Sequence, residues 1–324
     1  NTVPHAVLVP GQRCANSNPL NTEMECNHHA IVVKFGGSLI TNKNSITPSL
    51  RTTILASLAQ ALRQAIDTSN ISAIYLVIGA GSFGHPRSKR WNLAHGRTPN
   101  INCSGDSGDS GDSECKTQWD AVRLVRQEML ALASHVVAAL NAERFSVVAH
   151  PPHTFARNVG PAFQGNLTNF VPRHRHEIAL TWGDPVDCDE PQQFGILSGD
   201  DIVVRLATEM PHVRRLVFCM GGGVDGILRH PPGSTTTTGH HDLITEWCPA
   251  TIWEVEHDAN VDVTGGIGLK AARGSLVSNM CPHVHVQIIN GEIHARVLDA
   301  LVGRQAIGTT IRARPRNALL KNKL

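Results

Sequence analysis

The chain has 324 residues, with 29 Lys+Arg set against 27 Asp+Glu, a net charge of +2 with histidine neutral. That balance argues against nucleic-acid binding as the main business, because neutralising a phosphate backbone takes a basic excess or a basic stripe. Hydrophobic residues make up 41%, enough for a sizeable core and too many for a disordered chain, and no apolar run reaches the ~18 residues that cross a bilayer.

Residues 1–28 are polar and aperiodic and read as a loose N-terminal extension. They carry no basic stretch followed by an apolar block, so no secretory signal is expected. Cysteines stand at 14, 26, 103, 115, 188, 219, 248 and 281 without a C-x-x-C pair. They read as reduced thiols of a cytoplasmic protein.

The first strand signal is residues 30–35, short and β-branched, followed at once by Gly36, Gly37 and Ser38. Thr47 and Pro48 look like an N-cap with proline at the first helical position. Leu50, Ile54, Leu58, Leu62 and Ile66 then follow at helical spacing. A second buried strand, 73–78, runs into the glycine turn 79–85. Residues 101–118 break the pattern: Ser-Gly-Asp repeats from Ser104 to Asp112 give an acidic surface insertion with nothing apolar to bury. A long helix is predicted over 119–143, strands near 146–149, 177–181, 215–220 and 283–289, and helices over 200–209 and 269–278. Strands alternating with helices make the chain α/β. No composition shift marks a linker, and the chain divides only loosely near residue 190.

Three glycine clusters follow or adjoin predicted strands. A glycine turn at the end of a parallel strand exposes backbone N–H groups, and a following helix adds its positive end; together they hold an anion such as phosphate. In the first cluster Lys34 sits inside an apolar strand, where a charge is costly unless paired. It is either a strand-edge lysine that snorkels to solvent or a phosphate-neutralising lysine, and the adjacent Gly36, Gly37 and Ser38 favour the second. The second cluster is Gly79, Ala80, Gly81 and Gly84 with His85 beside it, a histidine set apart only by that place. In the third, 262–270, glycines precede a helix with Lys270 in its first turn. A cation there opposes the helix dipole by roughly a few tenths of a kcal/mol unless an anion is bound. There is no Gly-x-x-x-x-Gly-Lys-Ser/Thr and no protein-kinase His-Arg-Asp with Asp-Phe-Gly. Gly79, Gly81 and Gly84 match a dinucleotide fingerprint by spacing, but no acidic residue ends the next strand to hold a ribose.

Taken together, these motifs resemble the amino acid kinase superfamily, and within it the isopentenyl phosphate kinases. The family's Lys-x-Gly-Gly-Ser…Thr-x-Lys start is matched by Lys34 through Lys43, and its Gly-Gly-Gly-Ser/Ala-Phe-Gly-His by Gly79 through His85, with Ala80 for the middle glycine. Trp182-Gly183-Asp184 stands for Tyr-Gly-Asp, and Ile196 to Asp201 matches Ile-Leu-Ser-Gly-Asp-Asp. Gly223 to Ile227 stands for the Asp-Val-Asp-Gly-Val stretch, with Pro231, Pro232 and Gly233 after it. Asp262 to Lys270, Ile289 to Gly291, and Gly308-Thr309 complete the match, which runs from about residue 30 to residue 312. The chain departs from the pattern at Ile78, Ala80 and the glycines 221–223.

The resemblance implies a three-layer αβα sandwich with a mostly parallel central sheet, the amino acid kinase fold. It implies an acceptor-binding lobe over 29–190, carrying the insertion 101–118, and a nucleotide-binding lobe over 191–324. It implies ATP-dependent phosphorylation of isopentenyl phosphate to isopentenyl diphosphate, with ATP and Mg²⁺ as cofactors, in a homodimer of the isoprenoid (mevalonate) pathway. By family likeness Lys34, Gly36, Gly37 and Ser38 contact the ATP phosphates, and Lys43 stabilises the transferring group. Gly81 sits at the nucleotide side. His85 hydrogen-bonds the acceptor phosphate, in a pocket that Ala80 and Gly183 line with it. Asp200, Asp225, Gly266 and Lys270 serve the nucleotide site. The prenyl tail needs an apolar pocket, for which the helix after His85 and the 119–140 helix are the candidates. The other readings are a non-catalytic nucleotide or prenyl-phosphate binder, a sister kinase with another phosphate or phosphonate acceptor, and an NAD-dependent dehydrogenase. His85 favours a phosphate or phosphonate acceptor over a carboxylate, and the shared retention of Lys34, Lys43, His85 and Lys270 favours catalysis.

Overall fold

Strand β1, His29–Phe35, is buried at every residue from Ala30 onward because it runs through the middle of the molecule with a neighbour on each side. The architecture is that of a computed structural model, which describes residues 28–42, 45, 47–98, 115–229, 243–248 and 266–314. The extension 1–27, the Ser-Gly-Asp repeats, Lys43, Pro231, Pro232, Gly233, Asp262 and Gly265 lie outside the described residues.

Among the described residues the main sheet has eight strands in the order β10-β12-β11-β9-β1-β2-β6-β3. These are β2 (Ile71–Ile78), β3 (Ser146–Ala149), β6 (Glu177–Trp182), β9 (Val213–Met220), β10 (Glu246–Trp247), β11 (His285–Asn290) and β12 (Gly308–Ile311). All neighbours pair in parallel except β11 with β12. A parallel sheet is covered on both faces, which is why its central strands read as unbroken apolar runs.

Side chains alternate across a strand, and β1 shows the two faces. Ile31, Val33 and Phe35 join the core made with the helices Thr52–Thr68, Gln118–Ala142 and His294–Val302. Ala30 and Val32 join the core made with the helices Gly199–Glu209 and Ile267–Met280. The layers are therefore helix, sheet, helix, as expected, and Lys34 falls on the second face. A second, smaller sheet has the order β5-β4-β7-β8, with β4 at Ala156–Arg157 and β5 at Gln164–Gly165. Its β7 (Asp184–Asp187) and β8 (Phe194–Leu197) form an antiparallel pair that spans residue 190.

The 47–48 N-cap expectation is corrected. The helix starts at Thr52 with Arg51 as its cap residue. Local propensity lost to tertiary pairing: Leu50 bridges Thr41, and Asn42 N–H donates to Ser49 O at 2.9 Å, which holds the approach extended. The 118–142 helix begins where Thr117 Oγ1 accepts from Asp120 N–H and Asp120 returns a bond to Thr117 N–H.

β1 has β2 on one side and β9 on the other, so the chain order reverses direction at β1. In open α/β sheets ligands bind outside the carboxyl ends of the strands at such a reversal. The first two glycine clusters and Gly221 all sit there.

Candidate active site

The loop after β1 and the loop after β2 interlock. Gly81 has φ +52, and a Cβ there runs into Thr41 Oγ1; a Cβ at Gly37 runs into the Gly81 backbone. Only glycine suits either place. Thr41 binds the two loops together: its hydroxyl donates to Gly37 O at 2.8 Å and accepts from Ser82 N–H at 3.0 Å. Gly36 caps the short helix Gly37–Ile40, whose first-turn N–H groups have no earlier helical carbonyl to meet.

These loops form one wall of a cavity of about 320 Å³. Lys34, Gly36, Gly37, Ser38, Ala80, Gly81, His85, Gly183, Asp200, Gly266 and Lys270 all line it. Of the residues singled out from the sequence, Asp225 is off that wall, paired with Arg296 and accepting from Asn290 Nδ2 at 3.3 Å. Lys43 lies outside the described residues.

Lys34 does not snorkel. It is 4% exposed, and its Nζ stands 3.4 Å from Asp200 Oδ1, while Lys270 Nζ stands 3.3 Å from Oδ2. Gly199 makes the approach possible, since a Cβ there sits 3.2 Å from Lys34 Nζ. Ser198 Oγ accepts from Asp200 N–H at 3.1 Å and starts the helix that carries the carboxylate. Burial opposes ionisation of Asp200, but Lys270 and Lys34 prevail and hold it below the usual carboxylate range. Two ammonium groups meet one carboxylate in a water-poor setting beside the glycine loops. Such a grouping is chemically suited to an anion.

The cavity also has a chemically different lining. His85 opens the helix His85–Arg90, and Ser88 and Lys89 of that helix reach the cavity. Val125 of the 118–142 helix and Ile196 of β8 add apolar surface, so both helices proposed for an apolar pocket do reach it. Asp184 lies at the cavity wall with His153 Nδ1 2.6 Å from its Oδ2. Its Oδ1 is buried without a hydrogen-bond partner among the described residues. Burial pushes its carboxyl above the usual range against the pull of His153. The motif reading quoted Asp184 and Ile196 without giving either a role, and it assigned none to Lys89 or Val125. Lys89 was findable, four residues after His85 on one helix face. The glycine spacing at 79, 81 and 84 precedes a helix of six residues, too short for the long crossover helix of a dinucleotide site.

The amino acid kinase family model matches residues 29–286. The chain belongs to the amino acid kinase family. Among characterised members of that family, the isopentenyl phosphate kinase of Methanothermobacter thermautotrophicus is 26% identical over 284 residues, covering 87% of this chain and 98% of the relative. The isopentenyl phosphate kinase of Methanocaldococcus jannaschii is 26% identical over 61% of this chain and 70% of its own length. The structure of the T. acidophilum isopentenyl phosphate kinase product complex superposes with a TM-score of 0.63 at 22% identity, covering 87% of this chain and all of that one. It supports the amino acid kinase fold. Among the described residues no three His, Cys, Asp or Glu side chains gather to hold a metal ion, and no helix is long and apolar enough to cross a membrane.

Proposed function

We propose that the protein transfers the γ-phosphoryl group of ATP to isopentenyl phosphate, releasing ADP and isopentenyl diphosphate. The observation that carries this reading is the mixed lining of one cavity. A buried Lys34–Asp200–Lys270 cluster and the glycine loops line it together with His85, Gly183 and the apolar Val125 and Ile196.

Transfer between two phosphates asks for positioning and charge neutralisation rather than a strong base, since the acceptor oxygen is already ionised near neutral pH. Lys34, the loop N–H groups of Gly36, Gly37 and Ser38, and Lys270 hold the nucleotide phosphates, with Gly81, Gly266, Asp200 and Asp225 shaping their surroundings. Lys43 stabilises the group in flight. Asp200 holds both lysines at fixed separation. His85 donates to the acceptor phosphate, Ala80 and Gly183 let it approach, and Val125 and Ile196 receive the prenyl tail. The donor set fits a magnesium ion that would be held chiefly by nucleotide phosphates and water, with Asp200 a carboxylate lining the same cavity, because among the described residues no three metal-ligating side chains gather. When bound, that ion would supply charge neutralisation for the transferring phosphates. The reading extends to a cytoplasmic homodimer of isoprenoid synthesis, with an acceptor lobe before residue 190 and a nucleotide lobe after it.

The test is a Mg²⁺/ATP assay on isopentenyl phosphate with wild type, His85→Ala and Lys43→Ala. Diphosphate formation that both substitutions abolish supports the reading and the two roles. A wild type that binds ATP and makes no diphosphate overturns it.

A further inference from the structure

Three glycines, 221–223, follow β9 at the edge of the cavity, and Gly222 and Gly223 have φ of +86 and +69. A glycine run is the backbone that gives up most freedom when ordered, so a fixed shape here needs an outside hold. Glu292 supplies it. Its Oε1 accepts from Gly222 N–H at 3.1 Å and stands 2.5 Å from Arg51 Nη1. The same Arg51 nitrogen donates to Ser38 O at 3.3 Å. Glu292 is itself fixed, its N–H donating to Asn290 Oδ1 at 2.9 Å. Asn290 also donates to Asp225. Under the pair, Gly221 lies so close to Ser38 and Leu39 that a Cβ would sit 2.5 Å from Ser38 O.

We infer that the Arg51–Glu292 pair positions the nucleotide site: it locks the glycine loop after β9 to the Ser38 loop after β1, and so sets the shape of the phosphate cradle. Neither side chain lines the cavity, so both act through the loops they hold. Burial opposes the Glu292 charge, but Arg51 and the Gly222 and Gly223 N–H groups outweigh it and keep the carboxyl ionised below its ordinary range. Charge-assisted bonds of this kind are among the stronger ones. The inference rests on the nucleotide side assigned under the proposed function.

The experiment compares wild type with Glu292→Ala, Glu292→Gln and Arg51→Lys. It measures the ATP dissociation constant by calorimetry, KM for each substrate, kcat, and hydrogen exchange of the 221–223 segment. Glu292→Ala is expected to weaken ATP about tenfold, leave KM for isopentenyl phosphate within about twofold, and speed exchange at 221–223. Arg51→Lys, which keeps the positive charge opposite Glu292, is expected to weaken ATP less than Glu292→Ala does. Unchanged ATP affinity in a folded Glu292→Ala protein overturns the inference, and so does a lowered melting temperature with unchanged ATP affinity, the mark of a merely structural pair. If Glu292→Ala fails to fold, Glu292→Gln and Arg51→Lys decide by the same constants. A wild type without turnover sinks the kinase reading alone, and the ATP dissociation constants still judge the pair.

Discussion

The Lys34 ammonium faces the Asp200 carboxylate at 3.4 Å, with the two side chains 5% and 3% exposed. A charge so buried is tolerable only while its partner stays charged. Asp200→Asn removes the carboxylate charge that Lys34 and Lys270 share, and is expected to cost about 3–5 kcal/mol in denaturant unfolding at neutral pH, with a fall in kcat of about a hundredfold. The pH dependence has a definite sign. The folded-state pKa of Asp200 lies below its unfolded value, so its contribution is present above the ordinary carboxylate range and is lost as pH falls through the folded pKa. An acid titration of stability is expected to be steeper in wild type than in Asp200→Asn.

Asp184 has the opposite sign. Burial lifts its carboxyl above the ordinary range, so the native state keeps its proton longer than the unfolded chain does. Stability from this group falls as pH rises from the ordinary carboxylate range towards the folded pKa. Thermal melts of Asp184→Asn are expected to gain on wild type over a pH window that opens at the ordinary carboxylate range and extends upward from it. An equal offset at both ends of that window contradicts the assignment.

Gly81→Ala places a methyl group on Thr41 Oγ1 at a positive φ. The backbone strain alone is about 1–2 kcal/mol, and the collision adds to it. The melting temperature is expected to drop by several degrees, roughly 4 °C or more. Activity is expected to be lost even at temperatures where the variant stays folded.

Lys89 is exposed and reaches the cavity one helical turn beyond His85. Lys89→Ala is expected to raise KM for isopentenyl phosphate by about threefold to tenfold at low salt, with KM for ATP unchanged. The effect is expected to shrink at high salt, because an exposed charge is screened. Steady-state kinetics at two ionic strengths read both outcomes.

What could be read from the sequence was what is written locally. β1 and β2 announced themselves as unbroken apolar runs ending in glycine, and Lys34, Gly37, Gly81, His85 and Lys270 stood next to those glycines. Contacts between distant segments were closed to that reading. Arg51 and Glu292 are 241 positions apart, and Arg51 looked like an ordinary residue at the start of a helix. Asp225 fits a motif, yet Arg296 and Asn290 draw its carboxylate off the cavity wall. The β7–β8 pair escaped notice because strands of four residues with proline and aspartate carry little period-two signal.

The threonine between the glycine loops has a practical bearing on redesign. Because the Thr41 hydroxyl bonds Gly37 O and Ser82 N–H at once, the two loops move as a single part, and re-aiming one re-aims the other. A library meant to retarget this scaffold to a bulkier acceptor is therefore best aimed at Lys89, Val125 and Ile196, and has to leave Gly37, Thr41, Gly81 and Ser82 untouched.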